Sequence, residues 1–207
     1  MSTTRTEQPP IPTGRGVKAL REAAAGCQAC PLWRDATQTV FGAGPARADV
    51  MLIGEQPGDR EDREGKPFVG PAGHLLDRAL EAAGIDPAAT YKTNVVKHFK
   101  WKPRGKRRIH QTPSKLEIDA CMPWLEAELD RVRPEAVGLL GATAAKAVLG
   151  PSFRVSKQRG ELLEVEFAPA AVATFHPSSV LRASDDDRRE AFADLVADLR
   201  VLAGAAG

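Results

Sequence analysis

No stretch of this 207-residue chain approaches the roughly 18 consecutive apolar residues of a membrane span. The leading segment MSTTRTEQPPIPTGRG likewise has no apolar core of a secretion signal. Both absences point to a cytoplasmic protein with no membrane partner. Cysteine is scarce: the chain has three, an odd number and too few for a disulfide framework. In a reducing compartment they are spare core residues, reactive thiols or metal ligands. Net charge is almost absent, +2 from 29 Lys and Arg against 27 Asp and Glu, so the total argues for no particular partner. A hydrophobic content of 43% with 27% charged residues excludes a disordered chain and a membrane protein alike. The length suits one domain with a substantial core and is short for two.

Residues 1–15 carry Pro, Thr and Gly with almost no aliphatic periodicity and read as a disordered tail, which leaves 16–207 as the folded domain. VKALREAAAG reads as a short helix stopping at Gly26. ADVMLI, at 48–53, is an apolar run that opens into Gly-Glu-Gln-Pro-Gly, the pattern of a buried parallel strand followed by a loop. A long loop to Gly70 precedes a helix over PAGHLLDRALEAAG, with Pro71 suited to its first turn and Gly84 to its C-cap. The unit then repeats. YKTNVV is a second strand, followed by a basic loop and a helix over 114–132 in which Ser114 and Glu117 have capping-box spacing. AVGLLG is a third strand with GATAAKAVLG as the helix behind it, and a hairpin is placed around 157–165. AAVATF is a fourth strand and 187–202 the last amphipathic helix.

Alternating strands and helices predict an α/β three-layer sandwich: a central, mainly parallel four-stranded sheet flanked by helices on both faces. Function belongs at the carboxyl ends of such strands. Four motifs fall there: GEQPG, Thr93-Asn94, Gly141-Ala142-Thr143 and His176-Pro177-Ser178-Ser179. Their convergence says more than any one of them. Charge is also segregated. From Lys97 to Lys115 the chain has eight Lys and Arg, no acid, and interleaved Phe99 and Trp101. That composition suits a nucleic-acid backbone, although an isolated basic run is often only a solvated loop.

GEQPGDREDREGKPFVGPAGHLLDRAL, YKTNVVKH, CMPW, GATAAKAVLG and HPSSVLR together resemble the iron–sulfur uracil-DNA glycosylases, family 4 of their superfamily, in order from Cys27 to the final helix. Two departures from ordinary family 4 make the chain most similar to the UdgX branch of actinobacterial proteins. Gln56 stands where Ala is usual, and a basic insertion, GKRRIH, precedes Thr112-Pro113. The resemblance implies the uracil-DNA glycosylase fold and a bacterial enzyme acting as a monomer on the nucleoid. Its substrate would be uracil-containing DNA, single-stranded, with the duplex left open. The UdgX branch excises uracil and then stays covalently attached to the abasic site through a histidine of the insertion.

A glycosylase extrudes the base from the stack, holds it, stabilises the uracil anion and supports the sugar cation. The resemblance distributes these tasks. Phe68 stacks on the flipped base, although by residue type it suits a loop anchor equally; Asn94 reads the O4 and N3–H edge. His176 stabilises charge developing near O2. Glu55 orients and activates His110, the nucleophile of the insertion, whose imidazole outcompetes water. Gln56 hydrogen-bonds the uracil or the sugar region. Lys97, Lys106, Arg107 and Arg108 meet DNA, as do Ser178 and Arg182. Gly141 and Thr143 offer a phosphate site at a helix N-terminus, or an ordinary N-cap. A conventional glycosylase that turns over, and an inactive iron–sulfur DNA-binding module, are the competing readings.

The family's third cysteine follows the Asn-bearing strand, and His98 occupies that position here. The resemblance thereby implies a [4Fe–4S] cluster held by Cys27, Cys30, His98 and Cys121. A zinc ion would accept the same Cys₃His set, and His98 could instead touch DNA beside an open iron site.

Overall fold

The continuous apolar runs become strands buried on both faces, and alternate residues of each feed opposite sides of the molecule. In β1 (Val50–Gly54), Met51 and Ile53 join one core and Val50 and Leu52 the other. The computed structural model describes residues 9–14 and 16–207. The tail expected over 1–15 therefore lies outside the described residues at 1–8 and 15. Residues 9–14 lie against the body: Ile11 packs on the core, and the Arg131 guanidinium donates to the carbonyls of Pro12 and Gly14.

In chain order, α1 (Val17–Ala24) and a single 3₁₀ turn (Pro31–Arg34) precede β1. Then come α2 (Asp59–Glu64), α3 (Pro71–Ala83), β2 (Tyr91–Asn94), β3 (Trp101–Arg104), β4 (Arg107–His110) and α4 (Lys115–Val132). The chain continues through β5 (Ala136–Leu140), α5 (Ala142–Leu149), α6 (Val155–Gln158), β6 (Leu162–Val165), β7 (Ala168–Thr174), α7 (Pro177–Arg182) and α8 (Asp185–Ala205). The main sheet runs β2-β1-β5-β7-β6, with the first four strands parallel and β6 antiparallel at the edge. The four expected parallel strands are all present, and the fifth completes the sheet where a hairpin was expected. One core lies beneath α1, α4 and α5, the other beneath α3, α7 and α8. The expected three-layer α/β sandwich is thus the observed one. Among the described residues no helix is long and apolar enough to cross a membrane.

Helix ends follow local chemistry. The expected capping box forms: Glu117 N–H donates to Ser114 Oγ and Ser114 N–H to Glu117 Oε2. Two segments depart from the sequence expectation. The long loop after β1 contains α2, whose DREDRE sequence has no apolar stripe but is laced by Arg60–Glu64 and Asp59–Arg63 pairs one turn apart. The basic loop is a two-stranded hairpin, β3 paired antiparallel with β4. Gly105, at φ +60°, opens its two-residue turn, as a hairpin turn of primed type requires.

Candidate active site

Four strand ends and one hairpin meet at a cleft of about 1050 Å³ whose lining includes Glu55, Phe68, Asn94, His110, Thr143 and His176. A cleft at the carboxyl ends of parallel strands is where this architecture places ligands. Its floor is built by close approach. A Cβ on Gly54 would lie 2.4 Å from Asn94 Oδ1 and 2.8 Å from Phe68 Cζ, so only glycine lets both side chains reach the cavity. Phe68 is 8% exposed and holds a left-handed backbone, φ +57°, a conformation that costs a bulky residue energy and persists only where its surroundings impose it. Gly73 makes room for that turn, since a Cβ there would sit 1.7 Å from the Phe68 carbonyl oxygen. The Phe68 ring stacks against His176, centroids 6.4 Å apart at 28°. Asn94, 3% exposed, closes the end of β2.

His176 caps α7 with its own ring. The Ser178 N–H donates to Nδ1 at 3.2 Å, and Ser178 Oγ lies 2.8 Å from the same atom. Nδ1 therefore carries the lone pair and the proton sits on Nε2. Burial pushes the imidazole down to about 4, against the pull of Glu55, so the ring is neutral and a donor at ordinary pH. Arg182 donates to Ser178 Oγ at 3.0 Å. Ser178, expected on DNA, is engaged in holding His176.

Alternation along the hairpin sorts its charges. Trp101, Pro103, Arg108 and His110 share one face, while Lys102, Arg104, Arg107 and Ile109 share the other. The first face turns inward. His110 Nε2 lies 3.1 Å from Glu55 Oε1, yet that buried oxygen makes no aligned hydrogen bond. The two groups are within hydrogen-bonding distance but out of line. Burial would raise the Glu55 carboxyl, but His110, Thr143 and His176 overcome it and hold the group below its ordinary value. Arg108 clamps the hairpin to α2: it binds Asp59, meets Asp62 Oδ2 at 2.6 Å and lies 5.4 Å from the centroids of both Phe99 and Trp101. Arg108 is therefore a brace rather than the expected DNA contact. Gln56 holds the hairpin's two ends. Its Nε2 donates to the carbonyls of Lys100 (3.3 Å) and Gln111 (3.0 Å), and its Oε1 accepts from Lys100 N–H (3.0 Å). Gln56 also lines the cleft, with its amide spent on these backbone bonds.

Two further expectations are corrected. Lys97, expected on DNA, is 1% exposed and ion-paired with Glu128 at 2.5 Å. Gly141 cannot offer its amide to phosphate, because that N–H donates to Thr174 O at 2.9 Å. At φ +92° it instead lets the α5 loop approach His176, whose Cβ would be 3.0 Å from a Cβ at this position. Lys106 and Arg107 remain exposed at the hairpin tip, and Arg182 is exposed beside the cleft. Lys146 and Arg154 also line the cleft and were not singled out from sequence. The available signal was a second acid-free stretch, 136–160.

Cys27, Cys30 and Cys121 are buried and unbridged. Trp124 Nε1–H donates to Cys27 Sγ at 3.2 Å and Lys97 N–H to Cys121 Sγ at 3.3 Å. Burial pushes the Cys121 thiol up to about 12, opposed by the Lys97 ammonium. His98 is 3% exposed, with Nε2 2.9 Å from Thr39 Oγ1 and Nδ1 buried without a partner. Among the described residues no three His, Cys, Asp or Glu side chains converge on a single-ion site.

The model of the Uracil DNA glycosylase superfamily matches residues 41–200. The chain is 35% identical over 174 residues to the type-4 uracil-DNA glycosylase of Thermotoga maritima, covering 84% of this chain and 87% of that protein. To the type-4 uracil-DNA glycosylase of Saccharolobus solfataricus it is 41% identical over 163 residues, covering 75% and 72%. To that of Sulfurisphaera tokodaii it is 33% identical over 173 residues, covering 80% and 76%.

Proposed function

The chain belongs to the uracil DNA glycosylase superfamily, and from that premise we propose that it excises uracil from DNA and then bonds His110 to the abasic sugar. The placement of His110 Nε2 3.1 Å from Glu55 Oε1, at the mouth of a cleft floored by Phe68, Asn94 and His176, carries the reading.

The flipped uracil stacks on Phe68, and the Asn94 amide pairs with O4 and N3–H. The C1′–N1 bond breaks with its electron pair going to uracil. The neutral His176 donates Nε2–H to O2 as negative charge grows there, without the desolvation cost of a buried imidazolium. Glu55, anionic in this setting, offsets the positive charge on the sugar. One nitrogen of His110 then forms a bond to C1′, and the proton on the other passes to Glu55; uracil takes a proton from solvent. The hairpin holds the imidazole where water would otherwise attack, because Gln56 ties its base and Arg108 its middle. A nucleophile so held needs no diffusional encounter.

The buried Cys27, Cys30 and Cys121, whose thiols lie close enough to act on one another, would hold a [4Fe–4S] cluster, with His98 as the fourth ligand. Nδ1 of His98 is buried and unpartnered, its ring is held through Nε2 by Thr39, and N–H groups point at Cys27 and Cys121. When bound, the cluster supplies structural order to the loops that carry it. Iron content and visible absorbance near 400 nm test this ligand set; zinc without iron would overturn it.

Denaturing-gel analysis with uracil-containing single-stranded DNA tests the reaction. Wild type is expected to give an adduct that survives SDS and heat, and His110→Ala to lose the adduct while releasing free uracil. A full adduct from His110→Ala would refute the role of His110. Free uracil without adduct from wild type would indicate ordinary turnover, and no uracil an inactive binding module.

A further inference from the structure

The cleft has a second cationic wall facing the hairpin, formed by α5 and α6. Residues 136–160 contain no Asp or Glu, and within them Lys146, Arg154 and Lys157 are exposed. None of the three pairs with an acid among the described residues, whereas Arg159, the next cation along the chain, is neutralised by Asp194 and Asp198. Arg154 donates only to the backbone carbonyls of Pro151 and Phe153, so its charge stays uncompensated. Lys146, Arg154 and the exposed Ser156 line the same cleft as His110 and Thr112. The α5–α6 wall thus brings unpaired cations to the cavity itself, and the hairpin on another side of it carries the exposed Lys102, Arg104 and Arg107 on the face turned away from the cavity. In a chain of net charge +2, unneutralised cations on one wall of the cleft and on the outside of the adjoining hairpin attract a polyanion that runs from one to the other.

We propose that the α5–α6 wall is a second DNA-backbone contact, in which Lys146 and Arg154 neutralise phosphates on the side of the flipped nucleotide away from the hairpin. It takes DNA as occupant from the glycosylase reading. Gripping the strand on both sides of one nucleotide fixes the backbone at two points, and that nucleotide can then be turned into the cavity without the strand sliding.

Binding to a single-stranded oligonucleotide carrying one 2′-fluoroarabino-uridine, whose glycosidic bond resists cleavage, is measured as a function of NaCl. Each neutralised phosphate contributes about 0.7 to the slope of log affinity against log salt on a single strand. Lys146→Gln/Arg154→Gln is therefore expected to lower the slope by about 1.4, and Lys146→Gln alone by about 0.7. Lys18→Gln, which removes an exposed cation on the remote helix α1, is expected to leave it unchanged. A wild-type slope in the double variant overturns the proposal, and so does an equal fall with Lys18→Gln, which would report net charge only. If wild type binds the probe but releases no uracil from ordinary uracil-DNA, the glycosylase reading fails while the salt slopes still test the wall.

Discussion

Replacing Lys97 by Met separates a buried brace from a DNA contact. Lys97 is 1% exposed and Glu128 0%. The ammonium donates to Thr93 Oγ1 at 2.8 Å, the Asn94 carbonyl at 2.5 Å and Glu128 Oε2 at 2.5 Å. Glu128 Oε1 in turn accepts from Tyr91 OH at 2.8 Å and Gly42 N–H at 3.1 Å. Met fills much of the lysine's volume but leaves the carboxylate buried without its cation, which costs about 3–5 kcal/mol. A domain of this size loses about 2–4 °C of melting temperature per kcal/mol, so the midpoint should fall by about 6–20 °C. Urea unfolding at pH 7, followed by circular dichroism, should show a lower midpoint at unchanged m. Lys97→Met/Glu128→Gln should recover part of the loss, because the neutral amide leaves no stranded charge and still accepts from Tyr91 and Gly42. A melting midpoint within about 2 °C of wild type, less than about 1 kcal/mol, combined with a DNA-binding salt slope lowered by about 0.7, would refute the buried role.

Gln56→Ala removes three hydrogen bonds from the base of the hairpin, worth about 0.5–1.5 kcal/mol each. Adduct yield should fall by more than uracil release in single-turnover assays; equal losses would mean that Gln56 serves the pocket instead. Gly54→Ala pushes a methyl group into Asn94 and Phe68 and should abolish uracil release while DNA binding persists, and release at the wild-type rate would contradict the packing described. The His176 value near 4 lies below that of a free imidazole, about 6.5. The folded state therefore binds fewer protons, and the group's contribution to stability is complete above about 6.5 and lost as pH falls toward 4. Uracil release should stay level from pH 8 to 5 and decline near 4; an acid limb centred near 6.5 would show that His176 acts from an exposed, freely titrating state.

The parallel strands were legible because burial on both faces demands uninterrupted apolar residues, as in 48–53 and AVGLLG. The strand β6 was not, since an edge strand has one solvated face and its alternating burial dilutes the signal. Helix α2 was hidden for a related reason: six charged residues carry no apolar period, and ion pairs one turn apart together with the buried Asp62 hold it in place. The hairpin looked like a loop because its pairing register sorts cations by face, which composition does not reveal. Within the site, Glu55, Phe68, Asn94, His110 and His176 were found from sequence and meet at one cleft. Lys97 and Arg108 were named for the wrong task. A polar or cationic side chain in a functional segment has the same sequence whether it faces the ligand or supports a neighbour.

The sequence by itself determined the layered α/β architecture, the strand ends at which function sits, the family, and the residue types available for base recognition and nucleophilic attack. These follow from local hydrophobic period and from motifs whose members lie close in the chain. Tertiary structure alone decided which charges are spent. Lys97 is consumed by Glu128, seven residues along α4 from Cys121, and Arg108 by two carboxylates of α2. Among the described residues Lys146 and Arg154 are left unneutralised at the cleft, and Lys102 and Arg104 on the outer face of the hairpin beside it. Whether a cation meets an acid or a phosphate depends on distances between elements far apart in sequence, and those distances exist only once the sheet has brought the strand ends together.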